Sequence, residues 1–156
     1  MRRWLHPFLG AVLGTMIAWI SVPKIESLVY LLVPVSRWFE VHGVSVSDTA
    51  MGSSPKVTVD RQIHRPFTGS WTVTLRRELG DGFTAVCTRN GRNDYRPGSA
   101  LPADTDLRWW MAIPPGPECR RITPGRYIVT ILWRVEAEGL PSKVVRAESN
   151  VFEIRP

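Results

Sequence analysis

Residues 4–22, "WLHPFLGAVLGTMIAWISV", carry no charged side chain. Nothing else constrains the chain as strongly. Nineteen such positions in a helix, at about 1.5 Å rise per residue, reach roughly 28 Å, close to the hydrocarbon thickness of a bilayer. Trp4 and Trp19 stand near the two ends, where indole rings suit the headgroup boundary. Gly10 and Gly14 lie four apart, a spacing that lets a second helix approach closely and that membrane helices also simply tolerate. Arg2 and Arg3 precede the run and few positive charges follow it, so the expected orientation puts the amino terminus in the cytoplasm and the rest outside. A cleavable secretion signal shares the basic start and apolar middle. It also needs small residues one and three positions before the cut, yet Ser21 has Trp19 two positions before it and Ser27 has Ile25. Residues 1–23 are therefore expected to be a retained single-pass anchor in an inner membrane, with the lipid bilayer as first partner.

After Pro23 the apolar pattern resumes at Ile25, Leu28, Val29, Leu32 and Val35, one side of a helix. Residues 24–40 are expected to form a short amphipathic helix at the outer membrane boundary, with Arg37, Trp38 and Phe39 as anchors. Continuation of the first helix past a Pro23 kink, and packing on a partner subunit, remain open alternatives. The texture then changes. Residues 41–54 are small, polar and turn-rich, the expected stem with a first short strand.

Residues 55–156 alternate with period two. Val57, Val59, Arg61 and Ile63 share one side of a strand, and Trp71, Val73 and Leu75 one side of the next. Phe83, Ala85 and Cys87 follow after the turn "LGDGF", and "DLRWWMAI" reads as a fourth strand. "GRYIVTILWRVEA" is apolar on both sides, with Tyr127, Val129, Ile131, Trp133 and Val135 on one and Ile128, Thr130 and Leu132 on the other, so it is expected to be central. "SKVVRAES" and "NVFEIRP" close the chain as one bent strand or two short ones. Six to eight short antiparallel strands over about a hundred residues, enough for independent folding, imply an all-β sandwich.

Of the net charge of +6, residues 1–40 contribute +2, from Arg2, Arg3, Lys24 and Arg37 against Glu26 and Glu40, leaving +4 for the rest. The basic residues are scattered and never form a run of five, which excludes a nucleic-acid arm as the expected function. Cys87 and Cys119 are the only cysteines. Outside the cytoplasm such a pair is expected to form a disulfide, stapling the third strand to the "PPGPECRR" loop. No metal is expected: His6, His42 and His64 are far apart, and no Cys-x-x-Cys or His-x-x-x-His spacing occurs. No cofactor fingerprint, nucleophile elbow or phosphate loop is present. Asp94, Asp104 and Asp106 lie in "RNGRNDYRPGSALPADTD", whose Asn and Asp read as loop and turn formers rather than as paired catalytic acids.

Two stretches do place reactive side chains together. In "VDRQIHR", Asp60, Arg61, His64 and Arg65 fall within six residues. Asp60 and His64 share the polar side of the strand, but no nucleophile accompanies them, so a structural strand is the better reading. Arg61 falls on the apolar side, where it has to snorkel, pair with an acid or mark a bulge. At "RWW", Arg108, Trp109 and Trp110, neighbouring strand residues face opposite sides, so one tryptophan enters the core. The other is either partly exposed beside Arg108, Arg120 and Arg121 or covered by the long Pro-rich loop. Exposed tryptophan next to arginine is the composition of a binding hot spot.

"PGRYIV" and the closing "SNVFEI" resemble immunoglobulin-like and fibronectin-III-like modules. That resemblance implies a tyrosine corner at Tyr127, although the Cys…Trp…Cys framework of antibody domains is absent. With the preceding anchor, "SPKVTVDRQIHRPFTGSWTVTLRR" and "PGRYIVTILWRV…SNVFEIRP" resemble small membrane-anchored proteins of tailed-phage and prophage genomes. This implies a location at the cell envelope and little chemistry. The function expected is that of a non-enzymatic, membrane-anchored interaction protein with an unknown protein partner. An accessory subunit of a larger membrane complex is the alternative, and an envelope-acting enzyme a remoter one.

Overall fold

The computed structural model describes residues 32–102, 105–111, 122–137 and 141–156. Among these residues no helix is long and apolar enough to cross a membrane. The expected span with Trp4, Gly10, Gly14 and Trp19, residues 24–31 of the helix expected over 24–40, and Asp104, Cys119, Arg120 and Arg121 lie outside the described residues. Within the described part of 24–40, Leu32 is helical, Val35–Arg37 is a 3-10 turn, and Phe39 already begins a strand.

The fold is all-β and sandwich-like, built from two sheets. The smaller pairs β1 (Phe39–Val46) with β3 (Val57–Ile63) antiparallel. The larger contains β4 (Phe67–Leu79), β5 (Gly82–Tyr95), β6 (Gly125–Glu136), β7 (Lys143–Glu148), β8 (Phe152–Arg155) and the two-residue β2 (Thr49–Ala50). Its order is β2-β8-β6-β4-β5, with β7 also on β6. The closing segment is thus two strands on one side of β6, and β6 is central as its two apolar sides require.

Residues 41–54 are not a stem. Phe39 and Val41 face inward, and so do Val44 and Val46, which is possible only because the register slips between Val41 and Gly43. A bulge at His42 shifts the period by one and keeps all four valine and phenylalanine side chains on one side. β1 is fastened to the larger sheet by Asn150, whose amide accepts from Val46 N–H at 2.9 Å and donates to Val46 C=O at 3.0 Å. Asp48 accepts the N–H of Glu153 at 2.8 Å, aligning β2 parallel to β8.

The core lies between the sheets. Tyr127, Val129, Ile131, Trp133 and Val135 line the inner side of β6, all 3% exposed or less. Phe39 from the small sheet packs on Phe67, Tyr95 and Trp133 of the large one, with ring centroids 5.5, 6.0 and 5.4 Å away, and Phe67 stacks on Tyr95 at 4.6 Å. Such aromatic pairs each add about 0.5–1.5 kcal/mol beyond the area they bury. At the start of β6 the Tyr127 hydroxyl donates to the Thr123 carbonyl at 2.5 Å, tying the entering loop to the strand.

Three expectations are corrected. The described residues of "DLRWWMAI", Asp106–Met111, are not the expected strand: Leu107–Trp110 is a single helical turn, α1. Asp106 caps it by accepting the Trp109 N–H at 2.7 Å, and this local bond outweighs the apolar texture. "RNGRNDY" is not a loop, because β5 runs through it to Tyr95. Gly91 there lies beneath the Trp71 ring, and a Cβ at that position would meet Trp71 Cζ2 at 2.4 Å. Finally, Phe83 and Ala85 do not share a side with Cys87. The register shifts between Leu75 and Arg76, so Leu75 faces Cys87 on the inner side whereas Arg76 faces Ala85 on the outer.

Candidate interaction surface

The cluster "VDRQIHR" is dispersed by the strand and turn that carry it. Arg61 turns inward and lays its guanidinium over the Tyr95 ring, 5.4 Å from the centroid. Stacking on an aromatic face stands outside the three expected solutions of snorkelling, pairing with an acid or marking a bulge. Burial pulls the Arg61 pKa below the usual arginine value, opposed by the Tyr95 oxygen. Burial likewise pushes the Tyr95 phenol up, opposed by the Arg61 charge. Asp60 stays exposed on the outer side. His64 lies beyond the end of β3, its Nε2 3.4 Å from Glu40 Oε2, and Arg65 sits over Trp38 at 5.7 Å. No hydrogen bond or ion pair joins Asp60 to His64 among the described residues, so the stretch forms no acid–base dyad there.

The "RWW" turn is different. One turn of helix places Leu107 and Trp110 on the same, buried side, while Arg108 is exposed and Trp109 is 44% exposed. Trp109 meets Trp110 edge-on at 5.2 Å, and Trp110 meets Trp71 edge-on at 5.8 Å. The three indoles form a ladder from half-buried Trp71 through buried Trp110 to exposed Trp109. Its outer rung is held in place by buried Trp110, itself packed on half-buried Trp71, so little rotamer entropy remains to be lost on contact with a partner. Arg108 N–H donates to Ser54 Oγ at 3.0 Å, which fixes α1 to the β2–β3 connection. Met111, just after α1, packs on the inner side of β5, its Sδ 3.6 Å from Cys87 Sγ, and Cys87 is 3% exposed.

The outer side of the large sheet was missed in the sequence. Along β4 it presents Thr68, Ser70, Thr72 and Thr74, flanked by Asp94, Arg92, Asn90 and Thr88 on β5 and by Glu136, Arg134, Leu132 and Thr130 on β6. Arg92 bridges to Glu136 at 2.6 Å, Arg126 grips Glu78 with contacts of 2.8 and 2.9 Å, and Arg146 pairs with Glu148. That pairing holds the Glu148 carboxyl below its usual range. These exposed pairs each contribute about 0–1 kcal/mol and balance the charges rather than leaving a strongly cationic field. The signal in the sequence was the unbroken polar set at alternate positions of "FTGSWTVTLRR".

Among the described residues no three His, Cys, Asp or Glu side chains converge as a metal site. No known protein family, curated protein or solved structure matches the chain.

Proposed function

We propose that the protein is a single-span membrane-tethered interaction module that displays an immunoglobulin-like sandwich outside the cytoplasm and works by docking, without bond chemistry. The observation that carries this reading is the join between the two parts of the chain. The uncharged run Trp4–Val22 stands only residues 23–38 ahead of Phe39, the first residue of β1. A tether that short holds the sandwich close to any surface the run enters.

The immunoglobulin-like assignment is supported by the order β5-β4-β6-β7, which follows the C′-C-F-G arrangement of variable-type domains. It is supported again by Tyr127, whose bond back to Thr123 stands at the start of β6, where the tyrosine corner stands in strand F. The exposed rung Trp109 with Arg108 is the contact residue set this function uses. In the oxidising compartment implied by the orientation, Cys87 and Cys119 form a disulfide closing a loop of about thirty residues, adding roughly 3–4 kcal/mol on the chain-entropy view. The likeness to small phage envelope proteins agrees with a role in modifying a bacterial surface.

Topology tests the reading. In spheroplasts expressing the full chain with a carboxy-terminal tag, external protease removes the tag and the module, while inverted vesicles protect them. The Cys87 and Cys119 thiols resist alkylation until a reductant is added. A tag cleaved only in inverted vesicles, with both thiols freely alkylated, would place the module in the cytoplasm and refute the proposal.

A further inference from the structure

Among the described residues the small sheet has two strands, and one side of β3 carries no third. Alternation fixes which backbone groups point that way. Val57 N–H donates to Thr105 C=O at 3.0 Å, and Val57 C=O accepts from Thr105 Oγ1 at 3.3 Å, both away from β1. His64 N–H, at an even position, donates toward β1, to Trp38 C=O at 2.9 Å. The odd-numbered residues of β3 therefore aim their N–H and C=O groups at the free edge. Beyond Val57 no described residue hydrogen-bonds to those of Val59 or Arg61. Both residues are half-buried, and the edge they form opens into a cleft whose far wall is the Ser99–Pro102 loop and whose end is closed by Thr105.

A cleft with two paired N–H and C=O sets, about 6.8 Å apart along a strand, has the repeat of an extended polypeptide and of little else. Small anions match the N–H groups but not the carbonyls between them. Side chains narrow the occupant further. On the solvent side Asp60, exposed and at the centre of the edge, favours a basic residue opposite it. On the core side Val59 and Leu101, both half-buried, favour aliphatic ones. We propose that β3 is the acceptor edge for strand addition, and that the partner is an extended peptide segment alternating aliphatic with polar residues, carrying Lys or Arg across from Asp60. This deepens the docking reading by naming the partner's conformation. It does not require the membrane anchor, so a failure of topology and a failure here are separately visible.

The test uses the full chain in detergent micelles and a blocked hexapeptide alternating valine with threonine and a central lysine. Its control is the same peptide N-methylated at alternate residues, which cannot complete the ladder. Amide hydrogen exchange at Val59 and Arg61 is expected to be fast in the free protein. It should slow about tenfold when the peptide is present at about ten times its dissociation constant. The N-methylated peptide should leave it unchanged, and Ala100→Trp, which fills the cleft from an exposed loop position, should abolish the slowing without lowering the melting temperature. Val59 and Arg61 amides already protected in the free chain would show the edge to be occupied and would overturn the proposal. So would equal protection by both peptides, or none at millimolar concentration.

Discussion

Replacing Tyr127 by Phe isolates the bond that fastens the start of β6. The ring is 1% exposed and stacks on Phe152 at 5.9 Å, and a phenylalanine keeps both the burial and the stack. Only the hydroxyl is lost, and with it the hydrogen bond to the Thr123 carbonyl at 2.5 Å. An ordinary hydrogen bond contributes about 0.5–1.5 kcal/mol net, and a carbonyl left without a partner in a buried place costs about 1–3 kcal/mol. Thr123 itself is exposed, so water reaches part of that carbonyl and the lower range applies, about 1 kcal/mol. The unfolding entropy of a module of about 120 residues makes this a fall of about 4 °C in melting temperature. Tyr127→Ala, which also empties the aromatic site, should cost about 3–5 kcal/mol. Thermal melts of the full chain in detergent, followed by near-ultraviolet circular dichroism, measure both. A Tyr127→Phe melt within about 1 °C of the parent would refute the idea that this bond holds the corner.

Gly91→Ala should destabilise by about 1–3 kcal/mol, since its methyl group would collide with Trp71. Combining it with Trp71→Leu should cost less than the sum of the two single changes, and the same melts test this. Glu148→Gln removes a carboxylate whose pKa is lowered chiefly by its bond to Arg146. The carboxylate's stabilisation is present above the unfolded value of about 4.3 and is lost as pH falls through the lower folded value. The parent–variant difference should therefore be small at pH 7, below about 1 kcal/mol for so exposed a pair, and should vanish in melts at more acidic pH. A difference that grows with acidification would contradict the sign of the effect.

How much of this was legible in the sequence differs from strand to strand. β3, β4 and β6 announced their inner sides because each buries one side of a regular, unbroken strand, and Tyr127 through Val135 could face only a core. β1 did not, because the bulge at His42 breaks the period just where the pattern has to be counted. β5 was hidden in part for the same reason: the shift opposite Leu75 and Arg76 moves Cys87 to the other side from Ala85. Its second half, "RNGRNDY", has loop composition, yet pairing with β4 and the cover of Trp71 over Gly91 override that preference. α1 shows the reverse, a local cap by Asp106 deciding against an apolar run. Arg61 was recognisable as an anomaly, but its solution needed Tyr95, distant in sequence and adjacent only across the two sheets. The free edge of β3 is a property of pairing and could not be seen in one chain segment.

Alkaline carbonate extraction of membranes from cells expressing the full-length chain tests the central claim most directly. An integral anchor formed by residues 1–23 keeps the protein in the membrane pellet at high pH and releases it only with detergent, and deletion of those residues moves it to the soluble fraction. Full-length protein recovered in the carbonate supernatant without detergent would contradict the tethered-module account.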